Sequence, residues 1–294
     1  MKHNKALGQI SFLIKLLTDR DEFVRNRVQE QLIDLGEDAL PFLEIAVRGG
    51  DDDLRIQANA VIQSILPQKL AEKFRQLAQK GLGQDIDLET GMMLIMEFGY
   101  PNSDPEEFRQ KLDELAQNFA DILNPEAEPP EIVAAFTHFL FQQKGFKGNK
   151  DDYQNPDNSF LNKVLDNQIG LPITLSAICV LLAKRLNLPI VGVGMPGHYI
   201  VKYSLPIEPI YFDPFHQGRL LTKKECIQIV EQFGHSFEEH FLSQATQRET
   251  LIRMLNNLIQ VYKKSNETKK AETLTKYIKI LLNPSKDQQS ERIH

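Results

Sequence analysis

The chain of 294 residues is 41% hydrophobic and 25% charged, a length and balance that support two or three globular units and exclude a disordered chain. Its formal net charge of -6 argues against a nucleic-acid partner, because neutralising phosphates requires a dominant basic face. The two cysteines, Cys179 and Cys226, lie on apolar helical patterns and offer neither a disulfide framework nor a thiolate metal cluster, so a cytoplasmic, reducing setting is expected.

From Gly8 to Asp19 the chain is amphipathic, with Gln9 and Lys15 inside the run. That segment is too short and too polar to span a membrane and has no signal-peptide cleavage pattern, so no membrane association is expected. Residues 10–66 repeat weakly at an offset of 30 positions. Leu13, Leu17, Asp21, Val24, Arg25, Val28, Leu32 and Leu35 fall on Leu43, Val47, Asp51, Leu54, Arg55, Ala58, Ile62 and Ile65. Each copy reads as two apolar-striped helices joined by a polar turn, Thr18–Asp21 or Gly49–Asp52, whose aspartates suit helix N-caps. The pattern resembles a pair of HEAT repeats, with two ordinary helical hairpins as the alternative.

Helical patterning continues from Lys69 to Lys144. Phe108, Leu112, Leu115, Phe119, Ile122 and Leu123 form a stripe behind Ser103-Asp104-Pro105, a cap followed by a first-turn proline. Ile132, Val133, Phe136, Phe139 and Leu140 form another behind Pro129-Pro130, and His138 within it is expected to be a structural histidine. Gly145 to Ser159 is rich in turn formers and has no period, which marks a loop. A short helix to about Asp166 and a longer one from Pro172 to Leu186 follow. Three strands are then expected at Ile190–Gly194, His198–Ser204 and Ile210–Phe212, the last two forming an antiparallel hairpin, and helix resumes from Leu221 to Phe233.

Gln247 to Pro284 reads as an antiparallel helix pair broken near Ser265-Asn266-Glu267. Leu251, Met254, Leu255, Leu258, Ile259 and Tyr262 face Ala271, Leu274, Tyr277, Ile278 and Leu281. The pair resembles one tetratricopeptide (TPR) repeat, with a tyrosine late in the first helix and a proline after the second. Lys263, Lys264, Lys269, Lys270, Lys276 and Lys279 read as its solvated face. The expected domains are therefore 1–68, helical hairpins; 69–245, an α+β core with a small antiparallel sheet; and 246–294, a helix pair and tail. The fold class is α+β and mostly α.

The chemistry concentrates between Asn167 and Gly218. His198 and Asp213 fall fifteen positions apart on consecutive strand-like segments. A carboxylate beside an imidazole fixes its tautomer and orients it, which is the supporting half of a Cys-His-Asp triad. Adding His216 would complete a two-histidine, one-carboxylate set, although no metal and no cofactor are expected. Asn149, Tyr153, Asn158, Pro172 and Tyr211 are the candidate binding residues around the pair.

Gly145-Phe146, Gly148-Asn149, Tyr153, Asn158-Ser159, Leu161-Asn162, Gly170-Leu171-Pro172-Ile173-Thr174-Leu175-Ser176, Pro196-Gly197-His198 and Asp213-Pro214-Phe215 together resemble the bacterial SirB-type transglutaminase-like core family over about residues 90–285. The resemblance implies a papain-like, transglutaminase-superfamily core. It also implies a thiolate nucleophile at the start of the central helix, where amides and the macrodipole lower a thiol's pKa. Counting back from Leu188-Pro189 puts that position near Pro172, and proline supplies no nucleophile. Cys179 is seven positions on, roughly 10 Å deeper along the helix. Thr174 is about 200° around it, and Ser176 about 6 Å deeper on the right face. Either hydroxyl would need His198 as a strong general base.

Three readings follow. The first is a non-catalytic transglutaminase-like module that binds a protein or peptide. The second is an acyl-transfer or amide-hydrolysing enzyme with His198 as base, Asp213 as orienter and Thr174 or Ser176 as nucleophile. The third is a helical scaffold in which the pocket is vestigial.

Overall fold

A computed structural model describes residues 2–49 and 51–283. Gly50 in the second repeat turn, and Pro284 with the tail behind it, lie outside the described residues. The chain divides into two compact units, 1–73 and 74–294. The fold is mostly helical α+β, as the sequence leads one to expect.

The first unit contains α1 (Lys2–Lys15), α2 (Glu22–Leu35), α3 (Leu40–Arg48) and most of α4 (Asp52–Lys80). Apolar residues spaced three or four apart, such as Ile10, Leu13 and Leu17 or Val28 and Leu32, meet Leu43, Ala58, Val61 and Ile65 in one aliphatic core. The turn aspartates cap as their type dictates: Asp21 accepts from the Phe23 amide and Asp51 from the Leu54 amide. The repeated arginines differ in use. Arg25 Nη1 donates to the Asp19 carbonyl at 2.7 Å and closes its turn, whereas Arg55 pairs with Asp52 at 2.8 Å.

The second unit begins inside α4. It continues through α5 (Leu88–Gly99), α6 (Pro105–Ala120), α7 (Pro129–Thr137), β1 (Lys147–Gly148), α8 (Leu161–Asn167), β2 (Ile169–Gly170) and α9 (Pro172–Leu186). Then come β3 (Ile190–Met195), β4 (His198–Tyr203), β5 (Ile210–Asp213), β6 (Arg219–Leu221), α10 (Lys223–Gln232), α11 (Gln247–Lys264) and α12 (Thr268–Leu282). Strands β3 to β6 form one antiparallel sheet in sequence order, and β1 pairs with β2 in parallel. Helix α9 is buried on every face over its first two turns, Pro172 through Cys179, and carries charge only in its last turn, at Lys184 and Arg185. It packs on β3 and β4 on one side and on α6 on another, the position of a central helix. At its far end Arg185 forks onto Glu89 at 2.7 Å and Asp113 at 2.6 Å. Helices α11 and α12 pack on each other, and α11 also contacts α5 and α9.

Several expectations shift. Helix α6 ends at Ala120, so Ile122 and Leu123 lie beyond it, and Ile122 is exposed because the chain turns there ahead of Pro129. His138 is exposed rather than structural. It opens a π-helical turn, His138–Gln143, which shifts the helical phase so that Phe139, Leu140 and Phe141 all face inward. Leu221 closes β6 instead of opening the next helix, which is capped by Thr222.

Candidate functional site

Strands β3 and β4 are joined by Pro196-Gly197, with Met195 paired to His198. Gly197 has φ +73°, and a Cβ there would overlap the Phe233 ring, so only glycine suits this turn. The register of β4 and β5 puts Asp213 one step past the Val201–Phe212 pair, opposite Ile200. His198 lies two residues from Ile200 and therefore on the same face.

The two side chains meet: His198 Nε2 lies 2.7 Å from Asp213 Oδ2. His216 Nδ1 reaches the same oxygen at 2.7 Å. The other carboxylate oxygen, Oδ1, accepts from the amides of Phe215 at 2.9 Å and His216 at 3.3 Å. Asp213 is 2% exposed and His198 8%, whereas the His216 side chain is 45% exposed. Burial opposes ionisation of Asp213, but the hydrogen bonds and charge of His198 and then His216 outweigh it and hold the carboxyl below the usual carboxylate range. The carboxylate thus engages Nε2 of His198 and not Nδ1.

These residues border a cavity of ≈ 640 Å³. Pro172 lines it too, so the start of α9 and the histidine–aspartate pair share one space. Tyr153 stands at the wall with its ring 5.9 Å from that of Phe215. Among the described residues, the lining includes no cysteine, serine or threonine.

The hydroxyls proposed as nucleophiles are elsewhere. Thr174 is fully buried and its Oγ1 has no hydrogen-bond partner. Ser176 is equally buried, and its hydroxyl bonds the Tyr199 carbonyl at 3.5 Å. Neither reaches His198, because both sit on turns of α9 packed into the protein. Cys179 is buried deeper on the same helix, and burial pushes its thiol well above the ordinary value.

The other candidate binding residues separate. Asn149 and Asn158 bond each other at 2.9 Å, and Asn158 also donates to the Asp152 carbonyl; they hold the loop that presents Tyr153. Asn149 borders an adjoining hollow of ≈ 370 Å³ with Phe215 and His216. Tyr211 is not at the main cavity. It is buried in a core with Val193, Ile200 and Leu221, and it touches a separate groove beside Pro130 and Leu205.

Three contributions escaped the sequence reading. Phe233, 54% exposed, closes the cavity over Gly197, and Gln228 and Gln232 face it from α10. Arg253 on α11 donates to the carbonyls of Met195 at 2.8 Å and His198 at 2.9 Å, bracing the turn that carries the histidine. Only the fold turns Arg253 inward, so no local signal reveals it.

Comparison with known proteins gives a consistent picture. The family model of the transglutaminase-like superfamily matches residues 106–256. A UPF0162 protein of Xylella fastidiosa strain 9a5c is 33% identical over 198 residues, which cover 64% of this chain and 69% of that protein. A UPF0162 protein of Pseudomonas aeruginosa is 28% identical over 170 residues, 57% of this chain and 62% of that protein. F-box only protein 21 of Mus musculus is 29% identical over 142 residues, which take in 46% of this chain and only 22% of the mouse protein. No solved structure matches the chain.

Proposed function

The chain belongs to the transglutaminase-like superfamily, and from that premise we propose that it is a non-catalytic, SirB-type member whose cavity binds an extended peptide segment of a protein partner. One observation carries this reading: the cavity keeps the His198–Asp213 pair, while Pro172 borders it at the helix start and the described lining offers no cysteine, serine or threonine. Acyl transfer in this superfamily's style needs a nucleophile within hydrogen-bond reach of the imidazole.

The lining suits a peptide. Tyr153, Phe215 and Phe233 supply aromatic surface, and Gln228 and Gln232, four apart on α10, present amides from one face. Amide side chains donate and accept at once, which matches a peptide backbone, and aromatic anchors supply most of the affinity in such sites. Within this proposal residues 1–68 are HEAT-like helical repeats and 246–294 a TPR-like helix pair and tail, flanking a core at 69–245. Repeats of both kinds build binding surfaces. No described helix is long and apolar enough to cross a membrane.

Fluorescence anisotropy of the full chain with a library of labelled extended peptides tests the reading. We expect saturable binding by a subset, weakened about tenfold or more by Phe233→Ala, and no ammonia release from glutamine peptides. Turnover of glutamine or amide substrates that His198→Ala abolishes would overturn it in favour of the enzyme.

A further inference from the structure

We infer that His198, Asp213 and His216 form a binding site for one divalent transition-metal ion of the zinc class. The inference goes beyond peptide binding and does not depend on it.

Three features support it. The donor atoms converge: His198 Nε2 and His216 Nδ1 each lie 2.7 Å from Asp213 Oδ2, and the three residues offer ligand atoms within 4.8 Å of one another. Two imidazoles and a carboxylate suit zinc, cobalt and nickel, and three protein ligands leave a fourth position for water or a ligand group. Here that position opens onto the ≈ 640 Å³ cavity.

The carboxylate is also held as a metal ligand must be. Two backbone amides bind Asp213 Oδ1 and fix the plane of the group, which leaves Oδ2 aimed between the rings. Supporting bonds of this kind orient ligands and tune their affinity. The nearby cation Arg219 is paired with Glu225, which tempers its repulsion of an incoming ion.

In the metal-free geometry, ring N–H groups bridge both histidines to Oδ2 at 2.7 Å. An ion bound at about 2.0–2.1 Å needs ligand atoms roughly 3.3 Å apart, so each pair opens by about half an ångström. Each neutral ring then carries its proton on the far nitrogen, Nδ1 of His198 and Nε2 of His216. The charge on Asp213 then offsets half that of the ion.

Cobalt(II) titration of the full chain, read by its visible absorption band and by equilibrium dialysis, is the test. Zinc is then added as competitor. The expected result is one cobalt per chain, displaced by zinc, with affinity reduced by about 10–100-fold or more in His216→Ala and unchanged in His138→Ala, which removes an exposed histidine elsewhere. His216 is half exposed, so its variant keeps the fold, which an unchanged melting temperature verifies. The absence of saturable uptake, uptake that survives His216→Ala, or equal loss in His138→Ala overturns the proposal.

Discussion

On the strand side of the cavity, both oxygens of the Asp213 carboxylate are engaged, by His198, His216 and two amides. On the helix side, α9 opens on Leu171 without a side-chain cap, continues through Pro172, and buries the Thr174 hydroxyl with no partner at all. The comparison separates two requirements that a catalytic triad joins. Orienting an imidazole needs only a carboxylate fixed by local backbone, and a strand end followed by a tight turn supplies that. A reactive nucleophile additionally needs the orphan amides of a helix start directed at a small side chain, and here a ring occupies that place.

The strand side should be the more costly to disturb. Asp213→Ala leaves the buried Phe215 amide, the part-buried His216 amide and the His198 N–H without their acceptor, and a loss of about 3–5 kcal/mol is expected in urea denaturation. The pH dependence carries a second signature. The folded carboxyl titrates below its unfolded value of about 3.9. Its contribution is therefore present above about pH 4 and is lost as pH falls through the lower, folded value. Asp213→Asn should flatten the acid limb of stability, and a limb as steep as that of the unaltered protein would place the stabilising charge elsewhere.

The helix side is open to a direct challenge. Pro172→Cys puts a thiol at the first position of α9, beside the amides and in the cavity of His198. If this end retains the electrostatics of a nucleophile site, the thiol pKa falls at least about one unit below the free value of about 8.5. Iodoacetamide should then alkylate it about tenfold faster at pH 7 than a free thiol of unshifted pKa. Cys226, buried and pushed up to about 11 by burial and by Glu225 and Asp213, supplies a slow internal reference. Loss of proline costs at most about 1 kcal/mol. Ordinary thiol reactivity would mean that the start of α9 does not activate a thiol.

Legibility in the sequence divides along similar lines. The span Pro172–Leu186 was readable as a helix because a first-turn proline and an apolar run fix it locally, and strands 190–194, 198–204 and 210–212 came within a residue or so of those observed. The short pairings β1–β2 and the strand β6 were not, since two or three residues carry no periodicity. His198, Asp213 and Pro172 were legible because each lies beside a turn signal: Pro196-Gly197 before His198, Pro214 after Asp213 and Gly170 before Pro172. Tyr211 shares a strand and a face with Asp213, yet its side chain is buried among Val193, Ile200 and Leu221 and does not line the cavity. Phe233 and Arg253 reach the site through packing between distant segments, which leaves no trace in local spacing.

The smallest expected effect decides most sharply between the two sides. Thr174 is the third residue of α9, where a hydroxyl ordinarily finds a backbone or solvent partner, but its Oγ1 is buried with none. An unpaired buried hydroxyl costs about 1–3 kcal/mol, and valine keeps the branched shape without the polar atom. Thr174→Val should therefore raise stability by about 1 kcal/mol, seen as a shift of the urea midpoint to higher concentration. The gain should leave peptide binding untouched, because Thr174 is absent from the cavity lining. A hydroxyl kept for chemistry would behave differently: its loss would remove turnover while stability rose, the pattern expected where function is bought with strain. Stabilisation with no loss of any measured function would confine Thr174 to the core and leave the helix side of the cavity without a nucleophile.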